Sequence, residues 1–264
     1  MMSAPSPIYT RENTTCAFQL IYSVAVFWKE RCPGDLWLPE LQAQCEASQL
    51  RILQHRFSTT TCSLFLVSAR PNVAATEVVR GVKGRLQALV RASRPNAFQR
   101  NYDIHSIGST SREKTEHYVA GQLQHHAIDQ GQIRSCRLDD LQFINPDVVL
   151  SRVQFTGHGR YRCNLHLCVR FMDQGVSLSS TSLERVRAMT KLTATRHQLL
   201  LSRLGLLTDH LHLVVGIPAT RDPASVTLSF MNNIAWEFGM QPVLWRSCYV
   251  GTIGEYDLGA IKDP

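Results

Sequence analysis

The second half of this 264-residue chain repeats its first, and that restricts its fold more than anything else in the sequence. Displacing the chain by 147 positions lays TTCSLFLVSARP (Thr60 to Pro71) over LTDHLHLVVGIP (Leu207 to Pro218), so that Leu64, Leu66, Val67 and Pro71 meet Leu211, Leu213, Val214 and Pro218. In that register Cys16 meets Cys163 and Leu20 meets Leu167. After a one-residue slip, Arg100, Ile107 and Gly108 meet Arg246, Ile253 and Gly254. Self-similarity along most of each half implies two like supersecondary units, not one large irregular domain.

Hydrophobic periodicity gives both halves the same order of elements. Phe18 to Trp28 and Asn164 to Phe171 read as strands, Pro39 to Ala47 and Ser182 to Thr195 as helices, Gln49 to Phe57 and Gln198 to Leu204 as strands again. The next strands, Ser63 to Ala69 and His210 to Gly216, run into Pro71 and Pro218, which cannot continue a ladder. Helices Ala74 to Ala92 and Pro223 to Phe238 follow, then strands Arg100 to Ile107 and Trp245 to Ile253. The first half adds a helix from Ser111 to about Gln124, with Ser109, Thr110 and Ser111 as N-cap candidates. Each copy therefore reads β-α-β-β-α-β-α: an α+β unit whose antiparallel sheet carries its helices on one face. The boundaries are 1–126 for the first copy, 127–159 for a connector with no counterpart, and 160–264 for the second copy. Within the connector, Leu141 to Phe155 is apolar enough to pack.

Hydrophobic residues at 44% and charged residues at 19% exclude a disordered chain. The net charge of +7 is uneven: Arg70 to Lys114 holds nine basic and three acidic residues, a net of +6, the pattern expected of a protein with a polyanion partner. Eight cysteines without a CxxC pair, several inside apolar runs, read as reduced core thiols of a cytosolic protein. The longest apolar stretch, Leu20 to Trp28, is too short to span a bilayer, and the polar start MMSAPSPIYTRENTT has no signal-peptide core.

Two motifs carry chemistry. His210, Leu211 and His212 form a His-apolar-His run on a strand, where alternation puts both imidazoles on one face about 7 Å apart, within reach of one metal ion or one phosphate. Tyr118 and Gln122, in the run YVAGQ, are four apart and so share a helix face, offering a phenol and an amide. Asp209 alternates to the opposite face from His210 and is not an expected ligand; Trp245 and Tyr249 read as core.

Together with SIG at Ser106 to Gly108 and YVGTIG at Tyr249 to Gly254, these motifs resemble the single-tyrosine, IS200/IS605-type transposases of the HUH class, which act on single-stranded DNA. The resemblance covers most of both halves and implies two ferredoxin-like, HUH-type domains in a pseudo-twofold arrangement. Under the repeat alignment, Ser63 and Phe65 stand where the first copy's histidines belong, and, in the register after the one-residue slip, Pro264 stands where the second copy's tyrosine belongs. In this family two subunits can build a site in trans. His210 and His212 from one half, with Tyr118 and Gln122 from the other, would thus rebuild one site of a two-site dimer.

The activity so implied is attack by Tyr118 on a phosphodiester of single-stranded or hairpin DNA, leaving a 5′-phosphotyrosine that a 3′-hydroxyl can reverse. A phenol titrates near pH 10 and needs help at neutral pH. Mg²⁺ or Mn²⁺ on His210, His212 and Gln122 is the expected source of that help. Arg80, Lys83, Arg85, Arg91 and Arg100 are candidates for phosphate contacts. The protein so described is a monomeric pseudo-dimer of the prokaryotic cytoplasm, associated with the nucleoid and not with a membrane. A catalytically inactive DNA-binding protein derived from such a transposase is the alternative, and a ferredoxin-like ligand-binding or structural module a third reading.

Overall fold

The structure, a computed structural model, describes residues 6–122, 142–172 and 179–255. It is a mixed α+β fold with two six-stranded sheets and five helices among the described residues. The first half comprises β1 (Thr15–Gln19), β2 (Ile21–Trp28), α1 (Leu38–Glu46), β3 (Leu50–Thr59), β4 (Cys62–Ala69), α2 (Ala75–Val90), β5 (Phe98–Ile107) and α3 (Arg112–Ala120). Short strands β6 (Phe143–Ile144), β7 (Gln154–Phe155) and β8 (Gly159–Arg162) come next. The second half comprises β9 (Asn164–Phe171), α4 (Ser180–Arg196), β10 (Leu200–Leu206), β11 (His210–Gly216), α5 (Pro223–Glu237) and β12 (Leu244–Ile253).

Strand order is β3-β4-β2-β5-β8-β7 in one sheet and β6-β10-β11-β9-β12-β1 in the other, so the run β3-β4-β2-β5-β8 is matched by β10-β11-β9-β12-β1. Two pairings depart from the antiparallel expectation: β1 runs parallel to β12, and β8 parallel to β5. Phe18 to Trp28 is accordingly not one strand. A single residue, Leu20, separates β1 in one sheet from β2 in the other, and Cys163 separates β8 from β9 in the same way. Each half thus lends a strand that covers the last long strand of the other half, whose backbone groups would otherwise form an open edge. Between the halves, β6 extends the second sheet beside β10 and β7 extends the first beside β8, with Ile144, Val149 and Phe155 exposed; residues 127–141 lie outside the described residues.

The same topology corrects the alignment of the halves. Ile21 pairs with Ile107 and with Ser68; Asn164 pairs with Ile253 and with Gly216. Taking Ile107 and Ile253 as equivalent makes Ser68 the counterpart of Gly216, and the first-half positions matching His210 and His212 become Cys62 and Leu64, not Ser63 and Phe65. A slip of one residue reverses the face of every side chain in a strand. Phe65 is fully buried in the core, and Ser63, also buried, accepts a hydrogen bond from the Trp28 indole at 2.9 Å. Position 264 lies outside the described residues.

The halves cross at two glycines. A Cβ on Gly108 would collide with the Thr252 carbonyl, and one on Gly254 with the Ser106 carbonyl. Buried hydroxyls bind the crossing on both sides. Ser106 donates to the Ile253 carbonyl (2.6 Å) and accepts from the Asn164 amide (2.9 Å); Thr252 donates to the Ile107 carbonyl (2.5 Å) and accepts from the Ile21 amide (2.9 Å).

One continuous core runs beneath both sheets and includes Val24, Val26, Trp28, Phe65 and Leu86 from one half and Leu165, Leu167, Leu211, Leu213 and Phe230 from the other. His55 of β3 sits among the rings of Trp37, Phe57 and Phe65, and burial lowers its pKa. Burial also lowers that of His105, with Arg162 adding to the effect. Folding therefore favours the neutral imidazoles, a stabilisation present above the unfolded pKa of about 6.5 and lost as pH falls below it. The urea midpoint is expected to be lower at pH 5 than at pH 7.5, and His55→Phe should reduce that difference. An unchanged pH dependence in the variant would show that His55 does not supply it.

Candidate active site

The site lies on the sheet face of the second half that α4 and α5 leave uncovered. Along β11, Leu211, Leu213 and Val215 belong to the main core, whereas Val214 joins a separate small cluster with Val119, Leu150 and Ile253. His210 and His212 alternate with the first set, so they lie on the face of Val214. Val119 comes from α3, a helix of the first half that packs across β10 and β11 of the second.

Several contacts hold α3 there. Ser111 caps its N-terminus by accepting from the Lys114 amide (3.4 Å), and the Arg112 amide donates to the Gly254 carbonyl (2.6 Å). The Arg112 guanidinium meets Glu255 at 2.8 Å and also binds Glu116. Glu116, nearly buried, accepts in turn from the Ser202 hydroxyl of β10. Removing this carboxylate leaves Arg112 and Ser202 without their shared acceptor at a partly dry interface. Glu116→Ala is expected to cost about 2 kcal/mol and to lower any activity that needs Tyr118 in place, as chemical denaturation and single-turnover rates would show. A variant with wild-type stability and rate would count against the contact as what seats α3.

This placement brings Tyr118, 39% exposed, edge-on to His212 with ring centroids 5.8 Å apart. His210 and His212, each 8% exposed, have centroids 4.9 Å apart. Gln122 is not one helical turn along from Tyr118 as its spacing implied: α3 ends at Ala120, Gly121 forms the C-cap, and Gln122 follows the cap. A glycine is a poor helix former and a common terminator. Gln122 nonetheless reaches the same sheet, because its Cγ occupies the space a Cβ on Gly205 would need (3.0 Å), and Gly205 pairs directly with His212. Directly paired residues point to one face. The Gln122 amide is fully buried, and neither its oxygen nor its nitrogen has a hydrogen-bond partner among the described residues.

Asp209 corrects a second expectation. It precedes β11, so strand alternation does not govern it, and its carboxylate reaches His210 Nδ1 at 2.7 Å. A carboxylate accepting there leaves the His210 lone pair on Nε2. Among the described residues no group of three or more His, Cys, Asp or Glu is placed to hold a metal ion. Two imidazoles and an amide on one face are a donor set that suits a hard or borderline divalent cation.

Sequence reasoning overlooked β9. Its segment NLHLCVRF alternates strictly, and His166, Cys168 and Arg170 share the open face. The signal was there as a period of two, but outside the HLH run. His212 pairs with Cys168 and His210 with Arg170. His166 Nε2 lies 2.8 Å from His212 Nδ1, with the rings stacked at 5.0 Å. Burial lowers the pKa of His166 to about 4 and raises that of the Cys168 thiol, 3.8 Å from His212 Nε2, to about 11. At neutral pH both are therefore uncharged.

The basic candidates divide. Lys83 is spent on the carbonyls of Gln99, Arg100 and Asn101, and Arg85 on the Gly81 carbonyl and the Ser48 hydroxyl. Arg80, Arg91 and Arg100 are exposed. All but Arg100 lie on or just beyond α2, in the helix layer of the first sheet, and the site contacts do not include them. Exposed Arg170, paired with His210, is the cation that the strands place beside the histidines. Tyr249 is half-buried against His166, whereas Trp245 is 43% exposed and not core. Among the described residues no helix is long and apolar enough to cross a membrane.

No protein-family model matches the sequence, and no curated protein matches it. Among solved structures, one of a REP-associated tyrosine transposase bound to a REP hairpin aligns with 38% of this chain and 60% of its own length, at 12% identity and a TM-score of 0.32. A putative glycine cleavage system transcriptional repressor aligns with 89% of this chain and 98% of its own at 11% identity and a TM-score of 0.23. A protein of unknown function from Galdieria sulphuraria aligns with 89% and 96% at 10% identity and 0.21. The chain thus spans about three fifths of the transposase it matches, and its similarity to that structure is weak.

Proposed function

We propose that this chain is a single-stranded DNA endonuclease and strand transferase with one composite site, formed by Tyr118 and Gln122 of the first half and His210 and His212 on the second half's open face. The observation that carries the reading is the seating of α3 across β10 and β11, which brings the Tyr118 ring 5.8 Å from that of His212. On this reading residues 1–126 and 160–264 are copies of one ferredoxin-like unit joined by 127–159, and the matched strand orders support it.

In the forward step the Tyr118 hydroxyl loses its proton and its oxygen bonds to phosphorus as the bond from phosphorus to the 3′ oxygen breaks. The 3′ oxygen leaves as a hydroxyl, taking up a proton, and the 5′ end stays on the tyrosine. Attack by a 3′-hydroxyl on the phosphotyrosine reverses these changes, so the same residues cut and join. Mg²⁺ or Mn²⁺, when held by His210, His212 and Gln122, supplies positive charge against the phosphate oxygens. Asp209 keeps His210 oriented. Arg170, exposed and cross-strand from His210, is a further candidate for a phosphate contact, and Arg80, Arg91 and Arg100 remain candidates for more distant backbone contacts.

Incubating end-labelled single-stranded and hairpin DNA with the protein and Mn²⁺ tests the proposal. A covalent adduct that is lost on chelation and in His212→Ala is the expected result. Retarded DNA with no adduct on any substrate would replace it with the reading of a DNA-binding protein without catalysis.

A further inference from the structure

His166 belongs to no motif of the proposed site, yet its side chain touches one of the histidines directly. On β9 it pairs with Val214, which makes it the diagonal neighbour of His212 on the shared face. Its Nε2 is 2.8 Å from His212 Nδ1, the two rings are stacked within 17° of parallel, and the Tyr249 ring stands edge-on to it at 6.0 Å. Little room is left for either imidazole to turn.

Two imidazoles sharing one hydrogen bond leave only two arrangements. If His166 donates, His212 carries its proton on Nε2 and has no lone pair there for an ion. If His212 donates, its Nε2 carries the lone pair, beside the Cys168 thiol at 3.8 Å. We propose that the second arrangement holds: His166 is a positioning residue that accepts the Nδ1 hydrogen of His212 and fixes His212 as an Nε2 donor. The neighbouring pair is built the same way, since Asp209 accepts from His210 Nδ1 across 2.7 Å. Both histidines would then present the same nitrogen, each fixed by a different residue. This inference rests on the metal-assisted reading given above.

Two measurements decide it. Nitrogen-15 NMR of the imidazoles reads the His212 tautomer without any metal, and Nδ1 protonation is expected; an Nε2-protonated His212 overturns the proposal. Calorimetric Mn²⁺ titration then compares wild type with His166→Phe, which keeps a stacked ring but accepts nothing, and His166→Gln, whose amide oxygen can accept. Mn²⁺ affinity should fall about 10- to 100-fold in the phenylalanine variant and recover largely in the glutamine variant, with both unfolding near the wild-type urea midpoint. Wild-type affinity in His166→Phe also overturns it. If wild type itself binds no Mn²⁺ and forms no adduct, the reading of the site fails, while the NMR result still decides the role of His166.

Discussion

Tyr118→Phe should abolish the covalent DNA adduct and slow strand cleavage by at least about a thousand-fold, because the reaction loses the atom that bonds to phosphorus. DNA affinity should stay within about threefold of wild type, since the ring, and with it the edge-on contact to His212, is retained. The substitution separates chemistry from folding well. Tyr118 is 39% exposed, near the end of a nine-residue helix that Ser111, Arg112, Glu116 and Val119 anchor. Denaturing gels of labelled DNA read the adduct, and single-turnover kinetics read the rate. An adduct that persists in Tyr118→Phe would show that another nucleophile does the work and would end the composite-site proposal.

Gly254→Ala is the second large effect, and it acts through the backbone. The new methyl group would be driven into the Ser106 carbonyl and against the Ile107 Cα at 3.2 Å, neither of which is the movable end of a side chain. Relief requires the two halves to part where Ser106 and Thr252 bind the crossing strands and where the Arg112 amide donates to the Gly254 carbonyl at 2.6 Å. A loss of about 3 kcal/mol or more is expected, together with displacement of α3 and loss of adduct formation. Urea denaturation measures the first and the DNA assay the second. Gly84→Ala serves as the comparison: nothing lies within 4 Å of a Cβ there, and in mid-helix it should be neutral or stabilising. A Gly254→Ala protein as stable as wild type would show that the crossing yields.

Much of this was legible in the residues. The order of elements in each half, the two prolines that close the central strands, the N-cap at Ser111 and the HLH strand all rest on local chemistry, and apart from Phe18 to Trp28, which is divided between two sheets, the described elements stand within a few residues of their expected places. Other statements failed, beyond the undivided strand, the purely antiparallel sheet and the buried Trp245. The mapping of the histidines onto Ser63 and Phe65 failed because identities between two diverged copies tolerate a slip of one, whereas hydrogen-bond register does not. Asp209 was misjudged because alternation was extended past the start of β11, where the backbone no longer follows it; Gln122 stands past the Gly121 cap of α3 and against Gly205, the partner of His212. His166, Cys168 and Arg170 were visible as an alternating polar face and acquire meaning only beside their cross-strand partners.

By itself the sequence determined the mixed α+β composition of the chain, a pair of strand histidines at His210 and His212, a tyrosine helix at Tyr118 and a net charge of +7. Those properties depend on neighbours a few positions apart, through periodicity, capping and charge. Only the tertiary structure decided that β1 and β8 change sheets, that α3 leaves its own half to lie over β10 and β11, and that Tyr118, Gln122, His166, His210 and His212 share one face. These arrangements join residues from 46 positions apart, as in His166 and His212, to more than 200, as in the pairing of Thr15 with Ser247. They are set by which sheet edges are left to be covered and where two glycines let the backbones cross, and no local pattern encodes either.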